Sequence, residues 1–140
     1  MSTILVVDDH ESIRLMFEVA LSAGSHRILL AADGQEALDQ LDEEPVDLML
    51  LDIMMPRVSG REVLDRLGPD FTTPIVVVTG HEGFGADDLV GFLDQGAVDA
   101  IKKPFDMDTF LDLVDALLDG DDAGRQEHRR RRIAELRGHI

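Results

Sequence analysis

The chain has 140 residues, 44% of them apolar and 30% charged, with a formal net charge of −16 at pH 7. Those values bound it to one globular domain with a short extension and exclude a disordered chain. It contains no cysteine, which excludes disulfides, thiol nucleophiles and Cys-ligated zinc.

The apolar runs are short. The longest, Ile28–Ala32, is far below what a bilayer span needs. The first, Ile4–Val7, stops at Asp8-Asp9 with no basic region before it, so no signal peptide is expected and the protein reads as cytoplasmic. The charge is uneven: residues 1–119 hold 7 Lys/Arg against 25 Asp/Glu, and residues 120–140 hold 6 arginines against 4 acids. An acidic body disfavours nucleic acid as a partner of the domain and suits divalent cations and basic protein surfaces.

In chain order, a continuous apolar strand Ile4–Val7 precedes a helical pattern in which Ile13, Met16, Phe17, Ala20 and Leu21 share a face, stopped near Gly24. A second strand, Arg27–Ala32, meets the turn Asp33-Gly34, and Ala37, Leu38 and Leu41 mark the next helix. Strand Val46–Leu51 ends at Asp52; Ser59-Gly60 then opens a helix with Val63, Leu64 and Leu67, closed by Gly68-Pro69. Strand Pro74–Thr79 is followed by Leu89, Phe92 and Leu93 ahead of Gln95-Gly96. The last strand, Ala100–Lys102, runs into Lys103-Pro104, and Phe110, Leu113, Val114 and Leu117 lead to Gly120. Strands without alternation are buried on both faces. Five such βα units predict an α/β fold, a doubly wound five-stranded parallel sheet over residues 1–120. Residues 121–140 form an Arg-rich extension, helical or disordered.

In open α/β sheets, binding groups collect at the carboxyl ends of the strands. Here those ends carry Asp8 and Asp9, Asp52, Thr79, and Lys102-Lys103-Pro104. Clustered carboxylates repel and stay ionised only beside a cation. Oxygen donors favour a hard ion such as Mg²⁺, which also accepts phosphate oxygens. A metal, a lysine and a hydroxyl supply the charge neutralisation that phosphoryl transfer requires, and one aspartate is then a nucleophile forming an acyl phosphate. Asp52, after the most apolar strand, is the central candidate. Taken singly, Asp8-Asp9 reads better as a helix cap, a reading that becomes minor with Asp52 and Lys103 in register, and Thr79 reads equally well as an ordinary β-branched strand residue.

Together the stretches Ile4-Leu5-Val6-Val7-Asp8-Asp9, Leu50-Leu51-Asp52-Ile53-Met54-Met55-Pro56, Val77-Val78-Thr79-Gly80 and Lys103-Pro104-Phe105 resemble the receiver domain of two-component response regulators, over about residues 2–119. The resemblance implies a flavodoxin-like (βα)5 sheet of order 2-1-3-4-5 and a switch rather than an enzyme acting on a separate substrate. It implies phosphorylation of Asp52 by a histidine kinase, a histidine-phosphotransfer protein or a small phosphodonor, with a role as relay intermediate as an alternative. It implies Mg²⁺ bound by Asp9, Asp52 and the Met54 backbone carbonyl, with Asp8 acting through water. Thr79 and Lys103 would hold the phosphoryl group, the Lys103-Pro104 bond would be cis, and Gly60 would let the loop turn into its helix. The domain would be a monomer or a phosphorylation-dependent dimer, without membrane or nucleic-acid binding.

Two departures stand out. Ala100 occupies a position where the family often has an aromatic, so aromatic rotamer switching cannot operate; Phe84, in the glycine-rich loop Gly80–Gly85, is the expected substitute. The five histidines show no ligand spacing and read as surface residues, with His10 and His81 flanking the site. Lys102 reads as the lysine without a role. The Arg129–Arg132 run reads as a solvated helix continuing from the fifth, with Ile133, Leu136 and Ile140 as a weak apolar stripe. The family's usual output face, the fourth helix, fifth strand and fifth helix, carries Asp87, Asp88, Asp94, Asp106, Asp108, Asp112 and Asp115, which predicts a basic partner.

Overall fold

A computed structural model describes residues 2–55, 57–68, 70–80 and 83–138. Its elements are β1 (Ser2–Val7), α1 (Glu11–Ser22), β2 (His26–Ala31), α2 (Gly34–Glu43), β3 (Leu48–Leu51), α3 (Gly60–Leu67), β4 (Ile75–Thr79), α4 (Ala86–Asp94), β5 (Asp99–Lys102), α5 (Met107–Asp119) and α6 (Asp122–Leu136). The five strands form one sheet of order β2-β1-β3-β4-β5, parallel throughout. No helix among the described residues is long and apolar enough to cross a membrane.

The sheet is covered on both faces, which is why its strands read as unbroken apolar runs. Leu5, Val7, Met49, Leu51 and Val77 share one apolar layer with Ala37, Val63, Leu64 and Phe92 of α2, α3 and α4. Ile4, Val6, Leu48, Leu50 and Val76 share the other with Phe17, Leu21, Phe110 and Val114 of α1 and α5. Each such side chain removed from water contributes about 1.5–3 kcal/mol before the entropy cost of ordering it.

Local chemistry sets the helix starts. Asp33, Ser59, Asp106 and Asp121 each accept a backbone N–H three residues on, at the starts of α2, α3, α5 and α6. The cap position of α1 is His10 rather than Asp8 or Asp9, so the capping reading of that pair does not hold. Met16 also departs from expectation. It is exposed beside Leu15 and Val19, while Ile13, Phe17 and Leu21 face the core.

The larger correction concerns the extension. The chain leaves α5 at Gly120, and Asp121 caps a separate helix that returns to pack on α4 and the outer edge of β5. Ile133 and Leu136 pack against the apolar layer that includes Ala97 and Ala100. Apolar periodicity gives little sign of this because α6 is held largely by arginines donating to backbone carbonyls. Ile140, the last member of the expected stripe, lies outside the described residues.

Candidate functional site

β1, β3, β4 and β5 end side by side, and their ladders place the polar residues just beyond them. The Asp8 N–H donates to the Ala31 carbonyl at 3.1 Å, that of Asp52 to Val7 at 2.9 Å, and that of Lys103 to Thr79 at 2.8 Å. Asp8, Asp52 and Thr79 are consequently buried, at 2%, 6% and 0% exposure. Gly60 allows the loop after β3 to close over this corner, since a Cβ there would lie 2.3 Å from the Asp52 carbonyl oxygen. The Lys103-Pro104 peptide bond is cis.

The side chains form one electrostatic cluster. One ligand atom each from Asp8, Asp9, His10 and Asp52 lies within 4.8 Å of the others. Lys103 Nζ donates to Asp8 Oδ2 at 3.1 Å, and the Met54 N–H donates to Asp52 Oδ1 at 3.3 Å. Burial, with the charge of Asp8 next and a smaller push from Asp9, raises the Asp52 carboxyl to about 6; Lys103 and the Met54 N–H pull against that rise. Asp9 Oδ1 is buried and takes no hydrogen bond. Three carboxylates, one of them with a buried oxygen that takes no hydrogen bond, against one ammonium fit a hard divalent cation. Asp8, Asp9, His10 and Asp52 each offer a ligand atom close enough to the others to hold an ion together.

The sequence places His10 beside the site as a surface residue; the other participants are unexpected. The His10 imidazole is 67% exposed, yet its Nδ1 lies 3.2 Å from Asp8 Oδ1 and 3.1 Å from Asp9 Oδ1. Its adjacency to the aspartate pair was the available signal. His26 and His128 are only partly exposed, beside Asp115 and Asp99 respectively, so the surface reading fails for both. Arg14 Nη1 donates to the Asp8 carbonyl at 2.6 Å, fixing the backbone of the pair from one turn along α1. Arg57, with φ of 62°, pairs with the buried Asp33 and ties the loop after β3 to the turn after β2.

Lys102 has a role after all: its Nζ donates to the Phe84 carbonyl at 2.6 Å, holding the β4–α4 loop while Lys103 turns into the site. The Phe84 ring meets Phe92 edge-on at 5.5 Å, and the Arg61 guanidinium lies over both rings. His81 and Pro56 lie outside the described residues.

Known proteins share this fold and much of this sequence. The family model of the response regulator receiver domain matches residues 4–115. Response regulator ArlR of Staphylococcus epidermidis is 34% identical over 118 residues, covering 84% of this chain and 53% of that protein. The chain therefore spans about half the length of the curated relatives it matches. Among solved structures, a CheY-like receiver domain protein of Methanospirillum hungatei superimposes with a TM-score of 0.78 at 26% identity, over 91% of this chain and 98% of that one. The chemotaxis protein CheY4 of Vibrio cholerae does so with a TM-score of 0.73 at 29% identity, over 84% and 98%.

Proposed function

We propose, from the premise that the chain belongs to the response regulator receiver domain family of two-component signalling, that Asp52 is its phosphoacceptor. Receiver domains act as signalling switches, are phosphorylated as a family, generally bind Mg²⁺ at an acidic pocket and interact with histidine kinases. The assignment to Asp52 is carried by one observation: its buried carboxylate shares a 4.8 Å cluster with Asp8 and Asp9, and Lys103 reaches the same cluster.

With a carboxyl group raised to about 6, Asp52 is largely ionised at pH 7 and more basic than an ordinary aspartate. One of its oxygens attacks the phosphorus of a phosphohistidine or a small acyl phosphate. The P–O bond to Asp52 forms as the bond to the leaving group breaks, and a histidine leaving group takes up a proton. Asp9, Asp52 and the Met54 carbonyl would hold Mg²⁺, with Asp8 acting through water; when bound, the ion neutralises charge on the transferring group. Lys103 exchanges Asp8 for a phosphoryl oxygen, and the Thr79 hydroxyl donates to another. Hydrolysis of this acyl phosphate is turnover of the domain's own modification. The phosphoryl source is a histidine kinase or a histidine-phosphotransfer protein. Incubation with a small acyl phosphate and Mg²⁺, read by intact mass, should add one phosphoryl group to the native chain; the same gain in Asp52→Ala would refute the assignment.

A further inference from the structure

β1 ends at Val7 and the chain bends at Asp9. The side chains of Asp8, Asp9 and His10 therefore converge, where along a strand they would alternate. The His10 backbone is held on both sides. Its N–H donates to Asp8 Oδ1 at 2.9 Å, and its carbonyl accepts from the N–H groups of Ile13 and Arg14, each at 3.1 Å, as α1 begins. The imidazole is not spent on capping, since the side chain at this cap position makes no cap hydrogen bond. It carries Nδ1 instead to 3.2 Å from Asp8 Oδ1 and 3.1 Å from Asp9 Oδ1.

The second of these approaches is not a hydrogen bond: Asp9 Oδ1 is buried and takes none, although a ring nitrogen lies 3.1 Å away. That spacing has another use. Ligand atoms held at about 2.0–2.1 Å from one first-row ion lie about 3.0–3.4 Å from each other. Asp8 is the most engaged of the three acids, with Lys103 on Oδ2 and the His10 N–H on Oδ1. Asp9 and His10 are the adjacent pair whose donor atoms stand side by side without satisfying one another. A neutral imidazole carries its proton on either nitrogen. With the ring 67% exposed, the proton can sit on Nε2 in water, which leaves the Nδ1 lone pair for a cation.

We propose that His10 is a direct ligand, through Nδ1, of the ion held at this corner, and that it turns the site's preference from Mg²⁺ toward a borderline transition cation such as Mn²⁺ or Ni²⁺. The inference rests on the reading of Asp9 and Asp52 as metal ligands. Carboxylates, carbonyls and water suit Mg²⁺, which gains little from a nitrogen donor. Imidazole suits the later first-row ions, and affinity for a mixed nitrogen and oxygen site rises from Mn²⁺ to Ni²⁺. Dependence on His10 should therefore be least for Mg²⁺, intermediate for Mn²⁺ and greatest for Ni²⁺. A residue that only oriented the carboxylates would affect all three ions alike.

Calorimetric titration of the full chain with the chlorides of Mg²⁺, Mn²⁺ and Ni²⁺, beside full-length His10→Ala and His10→Gln, tests this. Both substitutions keep the backbone N–H that Asp8 accepts, and the ring they remove is mostly in water. They should weaken Ni²⁺ at least about 10-fold and Mg²⁺ less than about threefold. Pulsed electron paramagnetic resonance of the Mn²⁺-loaded native chain should show the nitrogen coupling of a bound imidazole, and both variants should lack it. Equal weakening of Mg²⁺ and Ni²⁺ would overturn the proposal. So would a native chain without nitrogen coupling, or a coupling that survives in the variants. If Mg²⁺ still binds and Asp9→Asn abolishes that binding, such a result removes His10 alone and leaves the acidic site standing. Failure of every cation to bind the native chain would remove both.

Discussion

Lys103 Nζ sits 3.1 Å from Asp8 Oδ2 rather than against Asp52, so the ammonium at this corner is engaged by the carboxylate best buried beside it. Asp52 is left with a Met54 N–H and two neighbouring acids, and its carboxyl rises to about 6. In the proposed reaction, Lys103 exchanges one anion for another and no buried cation is left alone.

That pairing predicts what Lys103→Gln does. Asp8 loses its ion pair and Asp52 loses the cation that holds its carboxyl down, so Asp52 should titrate above its native value of about 6. Carboxyl ¹³C NMR in the absence of metal reads this directly; an unchanged or lower Asp52 midpoint would contradict the geometry. A stability loss of about 1–3 kcal/mol should accompany it, since one partner of a mostly buried pair is removed.

The raised carboxyl also fixes a pH dependence. Between 3.8, its unperturbed value, and about 6, the folded state holds a proton on Asp52 that the unfolded state has released. This group's contribution is present below 3.8 and lost as pH rises through about 6. Without metal, Asp52→Asn should therefore be more stable than the native chain at pH 7, by about 3 kcal/mol for a shift of this size, and the difference should vanish toward pH 4. Urea denaturation of both proteins in chelator across that range is the check. A constant difference would show that the environment of Asp52 is not as described.

Divalent cation binding should relieve the same repulsion. At a Mg²⁺ concentration about 100-fold above its dissociation constant, the folded state gains about 2.7 kcal/mol. Asp9→Asn removes the acid whose Oδ1 is buried without a hydrogen bond. It should lose most of that gain in a thermal titration, while Asp115→Asn, at a half-buried histidine far along α5, should keep it.

Ala100 is fully buried in the apolar layer against which Phe84, Ile133 and Leu136 pack. An aromatic at that position has no free space, so Ala100→Tyr should cost about 1–3 kcal/mol through overpacking. It should also make α6 amides exchange with solvent faster than those of α5. Unchanged α6 protection would mean that the layer accommodates the ring without moving the helix.

How much of the fold and site is legible in the sequence depends on the kind of interaction. Continuous apolar runs such as Leu48–Leu51 and Ile75–Val78 announce buried parallel strands, and a parallel sheet brings the residues just past each run to one edge. Asp8, Asp52, Thr79 and Lys103 therefore come together as expected from order alone. Contacts between polar side chains and backbone are a different matter, because a carbonyl leaves no mark on the sequence that would attract an arginine. Arg129 and Arg132 read as solvated for that reason, as does Lys102, whose partner is the carbonyl of Phe84. The acidic pattern on α4 and α5 points to a basic partner, but not all of it faces one way. Asp88 and Asp106 accept hydrogen bonds from local backbone N–H groups, and Asp115 turns toward His26.

One carboxylate among three neighbours is assigned the phosphoryl group, and a chemical trap distinguishes them. After exposure to a small acyl phosphate and Mg²⁺, borohydride reduction converts an aspartyl phosphate to homoserine, which peptide mass mapping locates. Homoserine at position 52, with Asp8 and Asp9 intact, is the predicted result. Homoserine at position 8 or 9, or none at any position in a chain that has gained a phosphoryl group, would contradict the assignment of Asp52.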